Sequence, residues 1–188
     1  GDLQPQRILD LGCGTGNLTL RVLETFPCAH VVALDLSQEI LDVCRRQCGE
    51  QRVSYLQQDF SDLQLSANSF DLVVSSIAIH HVDDLTKQVL FQCVLESLKP
   101  GGVFTFVDQF RGETPGIYQQ HMKVWKTFAD AKGVPPEEWQ MWMEHQEQHD
   151  FHATVHDQMK WLHEVGFIEV DCLWKHVLWT LLTARKRT

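Results

Sequence analysis

Alternate glycines, strand-end acids and a histidine pair are the residues of this chain whose types and spacing suit chemistry. The stretch ILDLGCGTGN, from Ile8 to Asn17, runs from the apolar Ile8, Leu9 and Leu11 into Gly12, Cys13, Gly14 and Gly16. It reads as a buried strand that stops at a tight loop. Alternate glycines let a ligand lie directly on the backbone, and the helix that follows opens with free N–H groups. A dinucleotide loop is spaced Gly-x-Gly-x-x-Gly and carries pyrophosphate. Here the spacing is Gly-x-Gly-x-Gly, with Asp10 two residues ahead. An acid there is badly placed for pyrophosphate and well placed for an ammonium or sulfonium cation. Asp35 and Asp59 follow two later strand-like runs; at the carboxyl end of its strand Asp35 can accept both hydrogens of a ribose diol. His80 and His81 follow a fourth run; one of them can serve as a base or orient an acceptor near neutral pH. The alternatives are a ligand-free turn, ordinary loop acids and a structural histidine pair.

The elements that must position these residues alternate strand with helix. Leu18, Val22 and Phe26 repeat at helical spacing until Pro27, which ends the helix. A second strand spans His30 to Leu34, and Ser37 is placed to cap the next helix with Glu39 in its first turn. A third strand spans Val53 to Leu56. The run FDLVVSSIAIHHVDD, Phe70 to Asp84, is continuous at its start, as expected of a central parallel strand. Its Ser75 and Ser76 fall where the strand order reverses and ligands gather. Leu85, Val89, Cys93 and Leu98 mark a helix, LKPGG a turn, and Val103 to Phe110 a fifth strand. From Thr114 to Asp150 the pattern is helical, broken by Gly133, Pro135 and Pro136, and holds half of the six Trp. Thr154 is placed as an N-cap with Gly166 as the stop; Ile168 to Trp174 and His176 to Thr183 form two closing antiparallel strands.

Motif ILDLGCGTGN, Asp35, Asp59, the fourth-run serines and LKPGG together resemble the class I S-adenosylmethionine-dependent methyltransferases, over about Ile8 to Gln109. The resemblance implies an α/β fold: a doubly wound, seven-stranded, mostly parallel sheet of order 3-2-1-4-5-7-6 with an antiparallel last strand. It implies S-adenosylmethionine as cofactor. Asp10, Gly12, Cys13, Gly14 and Gly16 would flank its methionine part, Asp35 its ribose, and Leu36, Asp59 and Phe60 its adenine. Ser75 and Ser76 would lie near a backbone contact to the methionine portion. The insertion 114–150 is where this family builds its acceptor pocket; Asp108, Arg111, Tyr118, His121 and Trp125 are the candidates, with His80 and His81 as catalytic candidates. A helical pair burying its own apolar face is the other account of the insertion. Family members commonly carry N-terminal helices that close over the cofactor. The first strand starts near Arg7, so such helices are either lacking or trimmed away.

The whole chain, 188 residues, is expected to form one domain with a large core. It carries 25 acids against 16 Lys and Arg, a net charge of −9, which argues against a nonspecific nucleic-acid binder. A small, partly hydrophobic acceptor is favoured. No run is long enough for a bilayer and no signal pattern opens the chain, so a soluble, cytoplasmic protein is expected. Its oligomeric state is open. Six dispersed cysteines read as core residues in a reducing compartment. Cys44 with Cys48, and His145 with His149, lie one helical turn apart, but packing and a solvated face account for them and no metal site is assigned. Two rival functions stand beside methyl transfer: a catalytically silent cofactor-binding module, and a nicotinamide-dependent dehydrogenase, which the glycine spacing disfavours. A carboxylated cofactor would be a variant of the first reading.

Overall fold

A computed structural model describes residues 3–188. Strands β1 (Arg7–Leu11), β2 (His30–Asp35), β3 (Val53–Gln57), β4 (Phe70–Ser76), β5 (Leu98–Gln109), β6 (Ile168–His176) and β7 (Trp179–Arg185) make one sheet. Its order is β3-β2-β1-β4-β5-β7-β6, with β7 antiparallel to both β5 and β6 and the other pairings parallel. This is the expected class and order. The order reverses between β1 and β4, where Leu11 lies beside Leu34 on one flank and Ser75 on the other. That crevice at the carboxyl ends is where a doubly wound sheet takes its ligand.

Period-two alternation splits the strand residues between two cores. Leu9, Leu11, Leu34, Val73 and Phe104 face Leu90, Phe91 and Leu162 of α3 (Asp84–Ser97) and α6 (Val155–Val165). Ile8, Val31, Ala33 and Val74 face Val22, Leu23, Leu41 and Cys44 of α1 (Asn17–Thr25) and α2 (Gln38–Cys48). Ser37 caps α2 by accepting from Ile40 N, and Thr154 caps α6 by accepting from Asp157 N. The six cysteines are all free. α4 (Pro115–Ala131) and α5 (Pro136–His149) form the insertion, with Ala129 their only buried residue.

Three boundaries differ from the sequence reading. β4 ends at Ser76, because Ile77 adopts φ +52° and turns the chain into a 3-10 turn over Ile79–His81. LKPGG belongs to β5 itself, as an irregularity in its pairing with β4 between Phe70 and Leu72. His176 closes β6 rather than opening β7. Among the described residues no helix is long and apolar enough to cross a membrane.

Candidate active site

The glycine loop is closed on two sides and open on the third. A Cβ on Gly12 (φ +67°) would sit 2.4 Å from Ala78 Cβ, and one on Gly16 (φ +96°) would sit 2.8 Å from the Sγ atoms of both Cys44 and Cys48. Those two glycines let the loop press against the exit of β4 and against α2. Gly14 meets nothing within 4 Å, so its backbone faces open space. Gly14 N donates to Asp35 Oδ2 at 3.0 Å, and Ser37 N donates to Asp35 Oδ1 at 3.1 Å. Asp35 thus ties the loop to the end of β2, and each of its oxygens keeps a second lone pair.

Asp10 lies beneath the loop, fully buried, accepting from Thr19 Oγ1 at 2.6 Å while its Oδ1 has no partner. Burial pushes its carboxyl up to about 6, against the Thr19 hydrogen bond and with some help from the Asp35 charge. Asp59 caps the 3-10 turn at Phe60–Asp62. Its hydrogen bond from Ser61 holds that carboxyl below the usual range.

Two hollows of about 410 and 450 Å³ share Gly12, Asp35, Ala78 and His81 and form one cleft. Leu36, Asp59 and Phe60 wall one end; Gly14, Asn17 and Ser76 wall the other. A further cavity of about 440 Å³ joins it at Ile77 and His81 and is lined by His80, Trp125, Trp142 and Trp179. The tryptophans form a cluster: Trp125 stacks on Trp142 with centroids 6.2 Å apart and meets Trp179 edge-on at 5.6 Å.

Buried acids orient the histidines at that junction. His80 Nδ1 lies 2.5 Å from Asp108 Oδ1, while Asp108 Oδ2 accepts the N–H groups of Ile79 and His80 at 2.8 and 3.1 Å. Burial alone would lower the His80 imidazole, but the Asp108 hydrogen bond and the charges of Asp108 and Asp150 outweigh it and raise it. His81 is held below the ordinary value by burial and by its neighbour His80; His152 is pushed down to about 4 by the same two causes. Lys87, wholly buried, donates to Val82 O at 2.6 Å, Phe151 O at 2.5 Å and Asp84 Oδ1 at 3.2 Å. Phe151 N donates to His80 O at 2.7 Å. One lysine therefore clamps the histidine turn to the loop after α5.

Of the residues singled out from sequence, Gly12, Cys13, Gly14, Asp35, Leu36, Asp59, Phe60, Ser76 and His81 line the cleft. Asp10, Gly16 and Ser75 do not. Gly16 packs on α2, and Ser75 Oγ donates to Leu11 O at 2.7 Å inside the sheet. His80, His81 and Trp125 line the aromatic cavity, with Asp108 buried behind His80. Arg111 and Tyr118 open onto a neighbouring hollow of about 330 Å³ that shares Gln146 and Asp150 with the aromatic cavity, and there Tyr118 contacts Gln146 and His152. His121 lines neither. Ile77, Trp142, His145, Gln146, Asp150 and Trp179 line the aromatic cavity without having been singled out for it. The dense His-and-Trp composition of 139–152 was the sequence trace of Trp142, His145, Gln146 and Asp150; Ile77 and Trp179 left none.

A methyltransferase-domain family model matches residues 8–102, half of the chain and the part that builds the glycine loop, Asp35 and the histidine turn. The chain belongs to the S-adenosylmethionine-dependent methyltransferases. A solved methyltransferase of this kind from Mesorhizobium loti is 27% identical, with a TM-score of 0.69 over 99% of this chain and 93% of the other. Malonyl-[acyl-carrier protein] O-methyltransferase of Halalkalibacterium halodurans is 35% identical over 108 residues, 55% of this chain and 39% of the relative. Demethylmenaquinone methyltransferase of Clavibacter sepedonicus is 39% identical over 98 residues, 52% of this chain and 38% of the relative. The chain thus spans well under two thirds of the length of these two curated relatives. The methyltransferase cofactor, S-adenosylmethionine, fits the residues present. Open space over Gly14 admits a ligand onto the loop, and Asp10 Oδ1 leaves an unpartnered acid beneath it.

Proposed function

We propose that this methyltransferase domain transfers a methyl group to a small, partly apolar acceptor held in the tryptophan-lined cavity. The carrying observation is the position of His81, which lines both the glycine-loop cleft and the aromatic cavity. Two binding spaces that meet at His81 and Ile77 suit a transfer between two ligands.

When bound, the cofactor supplies an activated sulfonium methyl, so the chain's contribution is alignment and the exclusion of water. In this reading Asp35 accepts from the ribose diol, Leu36 and Phe60 flank the adenine, and Asp59 takes its amino group. Gly12 to Gly14 run beside the methionine part, with Ser76 at its end. Trp125, Trp142 and Trp179 bury the acceptor's apolar body. His81 orients its nucleophilic atom at the junction, and Asp108 fixes the His80 ring behind it. Asp10, Gly16 and Ser75 act on the loop's shape and field and not by contact. Tyr118 and Arg111 line the neighbouring hollow behind Gln146 and Asp150, and His121 lines neither space.

Calorimetry with S-adenosylmethionine, S-adenosylhomocysteine and NAD in parallel tests the cofactor half. Micromolar binding of the first two alone is expected, weakened at least tenfold in Asp35→Ala, about 1.4 kcal/mol. Unchanged affinity in a folded Asp35→Ala variant removes the ribose role. Formation of S-adenosylhomocysteine with a panel of small acceptors separates transfer from silent binding.

A further inference from the structure

The wall of the aromatic cavity holds an arrangement that acceptor packing does not require. Asp150, just after α5, has a side chain only 6% exposed, and its Oδ1 makes no hydrogen bond. A buried, unpaired carboxylate oxygen is costly. Three imidazole nitrogens surround it: His81 Nδ1 at 3.3 Å, His80 Nε2 at 3.7 Å and His145 Nε2 at 3.8 Å. Two of the three exceed hydrogen-bond reach. All three approach the edge of a tetrahedron whose corners lie about 2.1 Å from a common centre, which is on the order of 3.4 Å. Ligand atoms from His80, His81 and Asp150 fall within 4.8 Å of one another.

The surroundings are arranged as a metal site requires. Asp108 accepts at His80 Nδ1, which places the ring proton there and leaves Nε2 with its lone pair toward Asp150. A carboxylate behind a ligating histidine is the usual device that fixes tautomer and ring orientation. The Lys87 clamp and the Phe151–His80 backbone bond hold the two ligand-bearing segments together. His145 is 57% exposed and stands on the open side.

We propose that His80, His81 and Asp150 bind one divalent transition-metal ion of the zinc class, with His145 as a fourth ligand that an incoming group can replace. Two imidazoles and one carboxylate suit zinc, cobalt or copper, whereas magnesium and calcium want oxygen alone. The replaceable position opens on the tryptophan cavity, so an acceptor hydroxyl or thiol would bind the ion there and lose its proton more readily. That use rests on the methyltransferase reading; the metal site itself rests on these side chains alone.

The test is titration of the chelator-treated full chain with cobalt(II), followed by zinc displacement in the calorimeter. A single equivalent with the strong visible absorption of four-coordinate cobalt is expected. Zinc affinity should fall at least 100-fold in Asp150→Asn and in His81→Ala, and roughly tenfold in Asp108→Asn, which takes the charge from the group that orients the His80 ring and accepts the backbone N–H groups of its turn. His149→Ala should leave it unchanged, since the competing site is the His145–His149 pair on α5, whose rings lie 5.0 Å apart. No cobalt signal overturns the proposal, as does a signal lost in His149→Ala or retained in His81→Ala. If Asp150→Asn does not fold, the half-exposed His81 still decides the matter. Cofactor binding is read separately by calorimetry with S-adenosylmethionine, so a chain that binds zinc and no cofactor refutes the enzyme reading and leaves the metal site standing.

Discussion

Asp10 carries two opposed demands in one side chain. Its folded pKa is raised from 3.8 to about 6 by burial, so the native state binds the proton more tightly than the unfolded chain does. The sign follows: native stability falls as pH rises from about 4 to about 6, and the whole penalty, about 3 kcal/mol, is in force above that window. Asp10→Asn keeps an acceptor for Thr19 and removes the buried charge. It should raise the unfolding free energy at pH 7.5 by about 2–3 kcal/mol and leave it unchanged at pH 4, measured by urea denaturation. The same change removes the negative field under the glycine loop, so affinity for the cationic cofactor should drop severalfold by calorimetry. A variant with neither gain nor loss would show that Asp10 is a neutral packing residue. Stability given up at a site for the sake of binding is a common exchange.

At the scale of elements, the loop and the clamp are the joints that position the site. Gly14→Ala meets no protein atom but must adopt φ +53°, a cost of about 1–2 kcal/mol, and its methyl occupies the cleft. The variant should fold with modestly reduced stability and lose cofactor affinity at least tenfold. Gly16→Ala drives a methyl against two sulfur atoms of α2 and should cost about 2–4 kcal/mol in thermal unfolding. Equal behaviour of the two variants would sink the division between a closed and an open side of the loop. Lys87→Met strips the donors from Val82 O and Phe151 O, and should destabilise the chain by about 2–4 kcal/mol. Zinc and cofactor affinities then diverge: the metal ligands sit on the two segments the lysine joins, while the glycine loop lies elsewhere. The sequence showed the loop well because its strand, glycines and acid are contiguous. Lys87 was missed because the sequence reading followed Leu85, Val89 and Cys93, whereas α3 exposes Leu85 and Val89 and buries Lys87 with Leu90, Phe91 and Val94; only the fold brings Phe151 to it.

For the molecule as a whole, legibility followed the reach of the contacts. Asp35, Asp59 and Ser76 stand at strand ends, so a period-two pattern and a parallel sheet were enough to gather them in one crevice. A single step of the pleat separates the two serines: the Ser75 side chain is buried and donates to Leu11 O, while Ser76 lines the cleft. The aromatic cavity needs Trp179 from β7 beside Trp125 and Trp142 from the insertion, and Asp150 beside a turn seventy residues upstream; no local pattern encodes those meetings. The same division governs stability. β1 has four of five residues buried, whereas α4 buries Ala129 alone and α5 nothing. Trp125–Trp139 and Tyr118–Gln146 join the two helices to each other, while the pair is tied to the rest of the chain by Trp125–Trp179 and Tyr118–His152. Its backbone hydrogen bonds should therefore open locally, without unfolding of the sheet. Native-state hydrogen exchange should show amides of α4 and α5 exchanging at least 100-fold faster than those of β1 and β4. Trp125→Ala should widen that gap by speeding only the helical pair. Uniform protection across both regions would mean that the cap and the sheet unfold as one unit, and that entry to the aromatic cavity needs another route. A gap that narrows when zinc is added would tie the cap to the sheet through Asp150 and His145, the points where α5 and its exit reach the histidine turn.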